Sequence, residues 1–137
     1  QRPDLFGAAL CGVPVIDMLR YHKFTSGRLW VSEYGAADES EDQFRYLYAY
    51  SPLHNVREGE TYPPTLIWSS DGDDRVVPMH SLKFTAVLQA ADSGKNPILL
   101  RFGTQAGHGT INIHKVIEEE SDLLTFLALT TGWGIQA

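Results

Sequence analysis

Cysteine is almost missing from this chain. With Cys11 alone among 137 residues, no intrachain disulfide and no cysteine-rich zinc site can form. That scarcity favours a reducing, cytoplasmic location. Long apolar runs are missing too: none approaches the roughly 18 residues that cross a bilayer, which speaks against a membrane partner. Positive charge is in short supply, with 11 Lys and Arg against 17 Asp and Glu and a net charge of -6. The basic residues are scattered, so no concentrated surface exists to neutralise phosphates, and nucleic acid drops out as the main partner. The start, Gln1-Arg2-Pro3-Asp4, carries neither Met nor a signal-peptide core, so we expect the chain to belong to a longer polypeptide. One further absence matters for chemistry. No Gly-x-Ser-x-Gly occurs, so none of the serines sits in the tight strand-to-helix turn that exposes a nucleophile. Cys11 offers no substitute, because it lies within an apolar stretch with no helix start just after it and reads as a buried structural thiol.

What is present is the balance of a globular domain, 43% hydrophobic and 20% charged, at a length that suits one domain. Residues 6–13 are small and apolar, the pattern of a strand buried on both faces in a parallel sheet. Val15, Met18 and Leu19 have the i, i+3, i+4 spacing of a short helix stopped by Gly27. A second helix is expected from the acidic cluster of residues 38–42, with Phe44, Leu47 and Tyr48 on its buried face. Residues 65–70 read as a second buried strand, followed by the turn Asp71-Gly72-Asp73-Asp74. Phe84, Val87, Leu88 and Ala91 define a further helix, and residues 98–102 a third strand. The last helix is expected from about Asn112 to Gly132, with Ile113, Val116, Ile117, Leu124 and Leu127 inward and Glu118, Glu119 and Glu120 solvated. Strands alternating with helices require right-handed crossovers and a mostly parallel sheet flanked by helices, the α/β class.

Asp73 follows the second strand and His108, within Ala106-Gly107-His108-Gly109, follows the third. Both therefore belong at the carboxyl edge of the sheet, in the chain order acid then base. An imidazole accepts a serine proton only if a carboxylate fixes its tautomer and stabilises its charged form, so the pair is a candidate half of a hydrolytic triad. Other chemistries fit poorly. Asp71-Gly72-Asp73-Asp74 begins like a calcium loop but puts Arg75, Val76 and Leu82 where that loop needs a ligand, Gly and Glu. The glycines at 103, 107 and 109 spell no dinucleotide fingerprint. His22, His54, His80 and His114 lack metal-ligand spacing and read as surface or capping residues. No metal and no cofactor is expected.

Five ordered blocks go beyond composition: Gln1-Arg2-Pro3-Asp4-Leu5-Phe6-Gly7, Ile16-Asp17-Met18-Leu19-Arg20-Tyr21-His22-Lys23-Phe24, Tyr50-Ser51-Pro52-Leu53-His54-Asn55-Val56, Asp73-Asp74-Arg75-Val76-Val77-Pro78-Met79-His80-Ser81 and Ala106-Gly107-His108-Gly109. In sequence and order they resemble the prolyl oligopeptidase family of serine peptidases, over nearly the whole chain. The resemblance implies the C-terminal portion of an α/β-hydrolase peptidase domain over residues 1–137. It implies Asp73 as triad acid and His108 as triad base. Arg75 would bind a substrate carbonyl, Trp30 and Tyr34 would wall the proline pocket, and Val15 and Val76 would line it. The substrates would be short proline-containing peptides, cleaved on the carboxyl side of proline through an acyl-enzyme. The partners would be an upstream peptidase segment bearing the serine and a β-propeller domain. Two other readings are a non-catalytic piece of a nicked or split molecule and a related peptidase of different side-chain preference.

Overall fold

The computed structural model describes residues 1–109 and 112–134. Three parallel strands, β1 (Ala9–Gly12), β2 (Thr65–Ser70) and β3 (Ile98–Gly103), form one sheet in the order β1-β2-β3. Their register pairs Ala9 with Thr65 and Thr65 with Ile98. Side chains alternate along β2. Leu66 joins Leu123 and Phe126 of the last helix on one face, while Ile67 joins Leu88 and Ile98 on the other. Period-2 alternation thus splits one apolar run between two helix layers. Helix α3 (Met79–Ala91) covers one face and α4 (Ile113–Thr131) the other. This is the parallel, helix-flanked α/β arrangement expected from the sequence.

Between β1 and β2 the chain makes short 3-10 turns, a one-turn helix α1 (Val31–Tyr34) and α2 (Glu41–Tyr50). Ser40 caps α2 by accepting from the Gln43 amide at 3.2 Å, and Glu41 and Asp42 fill its first turn, where the helix dipole favours acids. Asn112 caps α4 by accepting from His114 and Lys115, and Gly132, at φ +72°, ends it in the left-handed conformation. Arg101 of β3 reaches Asp122 at 2.8 Å and Glu119 at 3.0 Å, so Glu119 ties α4 to the sheet instead of facing only solvent. No helix among the described residues is long and apolar enough to cross a membrane.

Several expectations need correction. The helix anticipated at Val15 to Leu19 is a non-helical turn: the Asp17 carbonyl accepts from the Arg20 and Tyr21 amides, and the Ser51 hydroxyl accepts from the Met18 amide. Val15, Met18 and Leu19 recur at helical spacing because the turn packs them into a small separate core with Tyr21 and Leu47. β1 is shorter than expected and half-buried. On α2 only Leu47 is buried; Phe44 and Tyr48 are exposed and stack on each other at 5.7 Å. On α4 the buried side chains are Leu123 and Phe126, whereas Ile113, Ile117 and Leu124 are exposed. Among the described residues the sheet side of this core comes from Leu10, Leu66 and Trp68 with Ala8 beside them, which is enough to cover Leu123 and Phe126 but leaves Ile113, Ile117 and Leu124 exposed.

Candidate active site

The turn after β2 is built around one carboxylate. The Asp73 side chain is fully buried, and its Oδ1 accepts from the Arg75 amide at 3.0 Å and the Val76 amide at 2.8 Å. Those two donors hold the carboxylate rigidly beneath the loop that follows β3. His108 arrives from that loop and places Nδ1 at 3.1 Å from Oδ1 and 3.0 Å from Oδ2 of Asp73. The His108 side chain is 35% exposed, so the Nδ1 edge of the imidazole meets the acid while part of the ring remains open to solvent. With Nδ1 donating to the carboxylate, the tautomer is set and Nε2 becomes the nitrogen suited to accept a proton. A cavity of about 390 Å³ opens beside His108, lined by Ser69, Ser70, Phe102, Gly107 and Lys115 among others. A larger hollow of about 720 Å³ between α3, β3 and α4 includes neither Asp73 nor His108.

Two loops meet closely to make this geometry. The Gly72 amide donates to the Ala106 carbonyl at 3.0 Å, and a Cβ at residue 72 would lie 2.8 Å from that oxygen, so only glycine lets the loops approach so near. The Asp71 carboxylate accepts from the Gln105 and Ala106 amides, which hold it below the usual carboxylate range.

The other expected site residues fall into two places. Arg75 is exposed at the acid's own turn, and Val76, next to it, is buried. Val15 and Trp30 each pack against the small core around Tyr21, with Tyr34 in contact with the same Tyr21 ring. Trp30 stacks on Tyr21 at 6.4 Å with an 11° interplanar angle, and Tyr34 meets it edge-on at 5.8 Å. Tyr21 is 1% exposed and donates its hydroxyl to the Gly35 carbonyl, with the Trp30 carbonyl at 3.4 Å. Burial foremost, helped by neighbouring tyrosines and Glu39, pushes that hydroxyl's pKa up to about 12, so it remains a donor. Sequence reasoning passed over Tyr21, although four aromatics within fourteen residues, Tyr21, Phe24, Trp30 and Tyr34, were a visible signal.

It also misplaced histidines, among them His22, whose side chain is 9% exposed beside Asp38. His80 is buried, and its Nδ1 accepts from the Asp17 amide at 3.1 Å, so it is an interior residue of α3 and not a surface one. His54 places Nδ1 2.8 Å from Ser51 Oγ and Nε2 3.9 Å from Asp17 Oδ1. Ser51, His54 and Asp17 thus imitate a triad, but Ser51 is 0% exposed and hydrogen-bonds the Met18 amide and Ile16 carbonyl, so it cannot meet a substrate. Among the described residues, no cluster of three or more His, Cys, Asp or Glu could hold a metal ion.

The family model described as "Prolyl oligopeptidase family" matches residues 1–132. The chain belongs to the prolyl oligopeptidase family. It is 52% identical over 133 residues to the prolyl endopeptidase of Elizabethkingia meningoseptica, covering 96% of this chain and 19% of that protein. A post-proline cleaving enzyme from Rickettsia typhi superposes with a TM-score of 0.90 at 35% identity, over 98% of this chain and 19% of that one. Oligopeptidase B from Leishmania major superposes with a TM-score of 0.81 at 26% identity, over 94% of this chain and 18% of that one. The chain spans about a fifth of the length of these prolyl oligopeptidase relatives, and its fold is the matching part of their α/β-hydrolase catalytic domain.

Proposed function

We propose that residues 1–137 are part of the peptidase domain of a serine endopeptidase that cleaves short peptides on the carboxyl side of proline. The observation that carries this reading is the His108 Nδ1 contact with the buried Asp73 carboxylate at 3.0 Å. In the proposed cycle His108 Nε2 removes the proton of a serine hydroxyl as its oxygen attacks the scissile carbonyl. The resulting imidazolium is stabilised by Asp73 and then passes the proton to the departing amine, leaving an acyl-enzyme that water hydrolyses by the same route. Since Gly-x-Ser-x-Gly does not occur in these residues, the serine is assigned to other sequence of the enzyme, as is the propeller domain.

Arg75 is proposed to bind a substrate carbonyl, for which an exposed guanidinium offers a fork of donors. Trp30 and Tyr34 are proposed to wall the proline pocket, with Val15 and Val76 lining it. The names of the Elizabethkingia and Rickettsia relatives support the preference for proline. The match to an oligopeptidase B supports a second reading, a peptidase of the same fold with another side-chain preference. A cytoplasmic site of action is the companion proposal.

The test is Asp73→Asn in the full-length enzyme, which should lower kcat by about 10⁴ through a mis-set imidazole tautomer. Turnover close to that of the parent enzyme would remove Asp73 from the role. A panel of chromogenic dipeptides separates the two specificities: hydrolysis after proline alone supports the first, and hydrolysis after arginine or lysine supports the second.

A further inference from the structure

The acid two residues before Asp73 has a separate task. Asp71 is exposed, yet both its oxygens are used: Oδ2 accepts from the Gln105 amide at 3.0 Å and Oδ1 from the Ala106 amide at 3.3 Å. Its own amide donates to the Gly103 carbonyl at 3.0 Å. The Ser70 hydroxyl donates to the Gly107 carbonyl, and Lys115 Nζ donates to the carbonyls of Thr104 at 3.0 Å and Gln105 at 3.1 Å. Every one of these bonds ends on the five residues before His108. Gln105 sits at φ +53°, a left-handed conformation that a non-glycine side chain disfavours and that surrounding bonds must hold. Two adjacent amides directed at one side chain form a small anion cradle, and a carboxylate offers a separate oxygen to each.

We propose that Asp71 is a positioning residue: by accepting the Gln105 and Ala106 amides it fixes the loop that presents His108 to Asp73. This inference rests on the reading of Asp73 and His108 as acid and base, but it assigns Asp71 no contact with substrate. An uncharged replacement frees the segment to relax from its left-handed turn, and the imidazole then drifts from its hydrogen bond to Asp73. Displacements of this size matter because misplacing a catalytic group by about 1 Å can cost on the order of 10²-fold in rate.

The experiment uses the full-length enzyme with Asp71→Ala, Asp73→Asn and the double variant, assayed on a prolyl chromogenic substrate. Asp71→Ala should lower kcat by about 10- to 100-fold with KM changed less than about threefold, because orientation and not substrate binding is lost. Asp71→Asn should fall between, since its amide accepts one N–H and opposes the other. In the double variant Asp71→Ala should add less than about threefold to the Asp73→Asn loss, because the imidazole it positions has already lost its partner. Ser70→Ala, which removes only the hydroxyl donated to Gly107, should reproduce a smaller loss of the same kind with the Asp71 bonds left in place. Full additivity in the double variant, or kcat within twofold of the parent for both Asp71→Ala and Ser70→Ala, overturns the positioning role. If Asp73→Asn itself keeps full activity, the triad reading fails first, and the two failures are distinguished by that single variant.

Discussion

Replacing Lys83 by Met probes a buried charge that the catalytic pair does not use. The Asp17 side chain is 0% exposed and places Oδ2 at 3.0 Å from Lys83 Nζ and 3.1 Å from Arg20 Nη1. Oδ1 has no hydrogen-bond partner among the described residues. Burial pushes the Asp17 carboxyl up, but the bonds from Lys83 and Arg20 together outweigh it and hold the group below its ordinary value. Breaking a buried pair costs about 3–5 kcal/mol when a charge is left stranded. Arg20 remains and the Lys83 side chain is 40% exposed, so after discounting for solvent we expect about 1–2 kcal/mol. The pH dependence carries the sign. A folded carboxyl below its unfolded value adds stability that is present above about pH 3.9 and lost as pH falls through the folded value. The Lys83→Met deficit should therefore be largest near pH 8 and shrink on acidification as Asp17 takes its proton first in the variant, closing only below the parent's depressed folded value, where Asp17 is protonated in both proteins. Burial also pushes His54 and His80 down, Asp17 opposes this, and Lys83 adds to it. Without Lys83 both rings take a proton more readily, so the deficit should begin to narrow as pH falls below about 6.5. Hydrogen exchange by mass spectrometry on peptides covering residues 14–24 of the full-length protein, corrected for intrinsic exchange, measures it. A deficit that stays constant or grows on acidification would refute the reasoning.

Tyr21→Phe removes only the hydroxyl that donates to Gly35 and lies near the Trp30 carbonyl, loosening Trp30 and Tyr34 together. We expect about 1 kcal/mol of weakened binding, seen as KM raised several-fold for prolyl substrates with kcat nearly unchanged. A fall in kcat at constant KM would argue against a binding wall. Ile67→Ala deletes a fully buried side chain between β2 and α3 and should cost about 3–4 kcal/mol in chemical denaturation, with the denaturant slope unchanged. A loss under about 1 kcal/mol would mean that this core collapses around the gap.

Alternation and punctuation in the sequence determined the α/β class, all three strands and the chain order of acid and base. They are local signals: an apolar run, a Pro or Gly stop, an Asp-rich turn. β2 was legible to the residue at Thr65–Ser70 because the short apolar core Leu66-Ile67-Trp68 stands between Pro63-Pro64 and the Asp71-Gly72 turn. The resemblance carried by five blocks of residues led to the family, which the match over residues 1–132 shows. Tertiary structure alone decided the rest. Whether Val15, Met18 and Leu19 form a helix depends on Ser51, far along the chain, supplying the acceptor for Met18. Which stripe of α4 is buried depends on how much sheet lies beneath it. That His54 and His80 surround Asp17, that Tyr21 stands between Trp30 and Tyr34, and that Asp71 grips the His108 loop all follow from contacts between segments distant or loosely patterned in sequence. Spacing can say that an acid and a base share one edge of a sheet; only packing brings Asp73 and His108 to 3.0 Å, because that distance is set by where two loops touch.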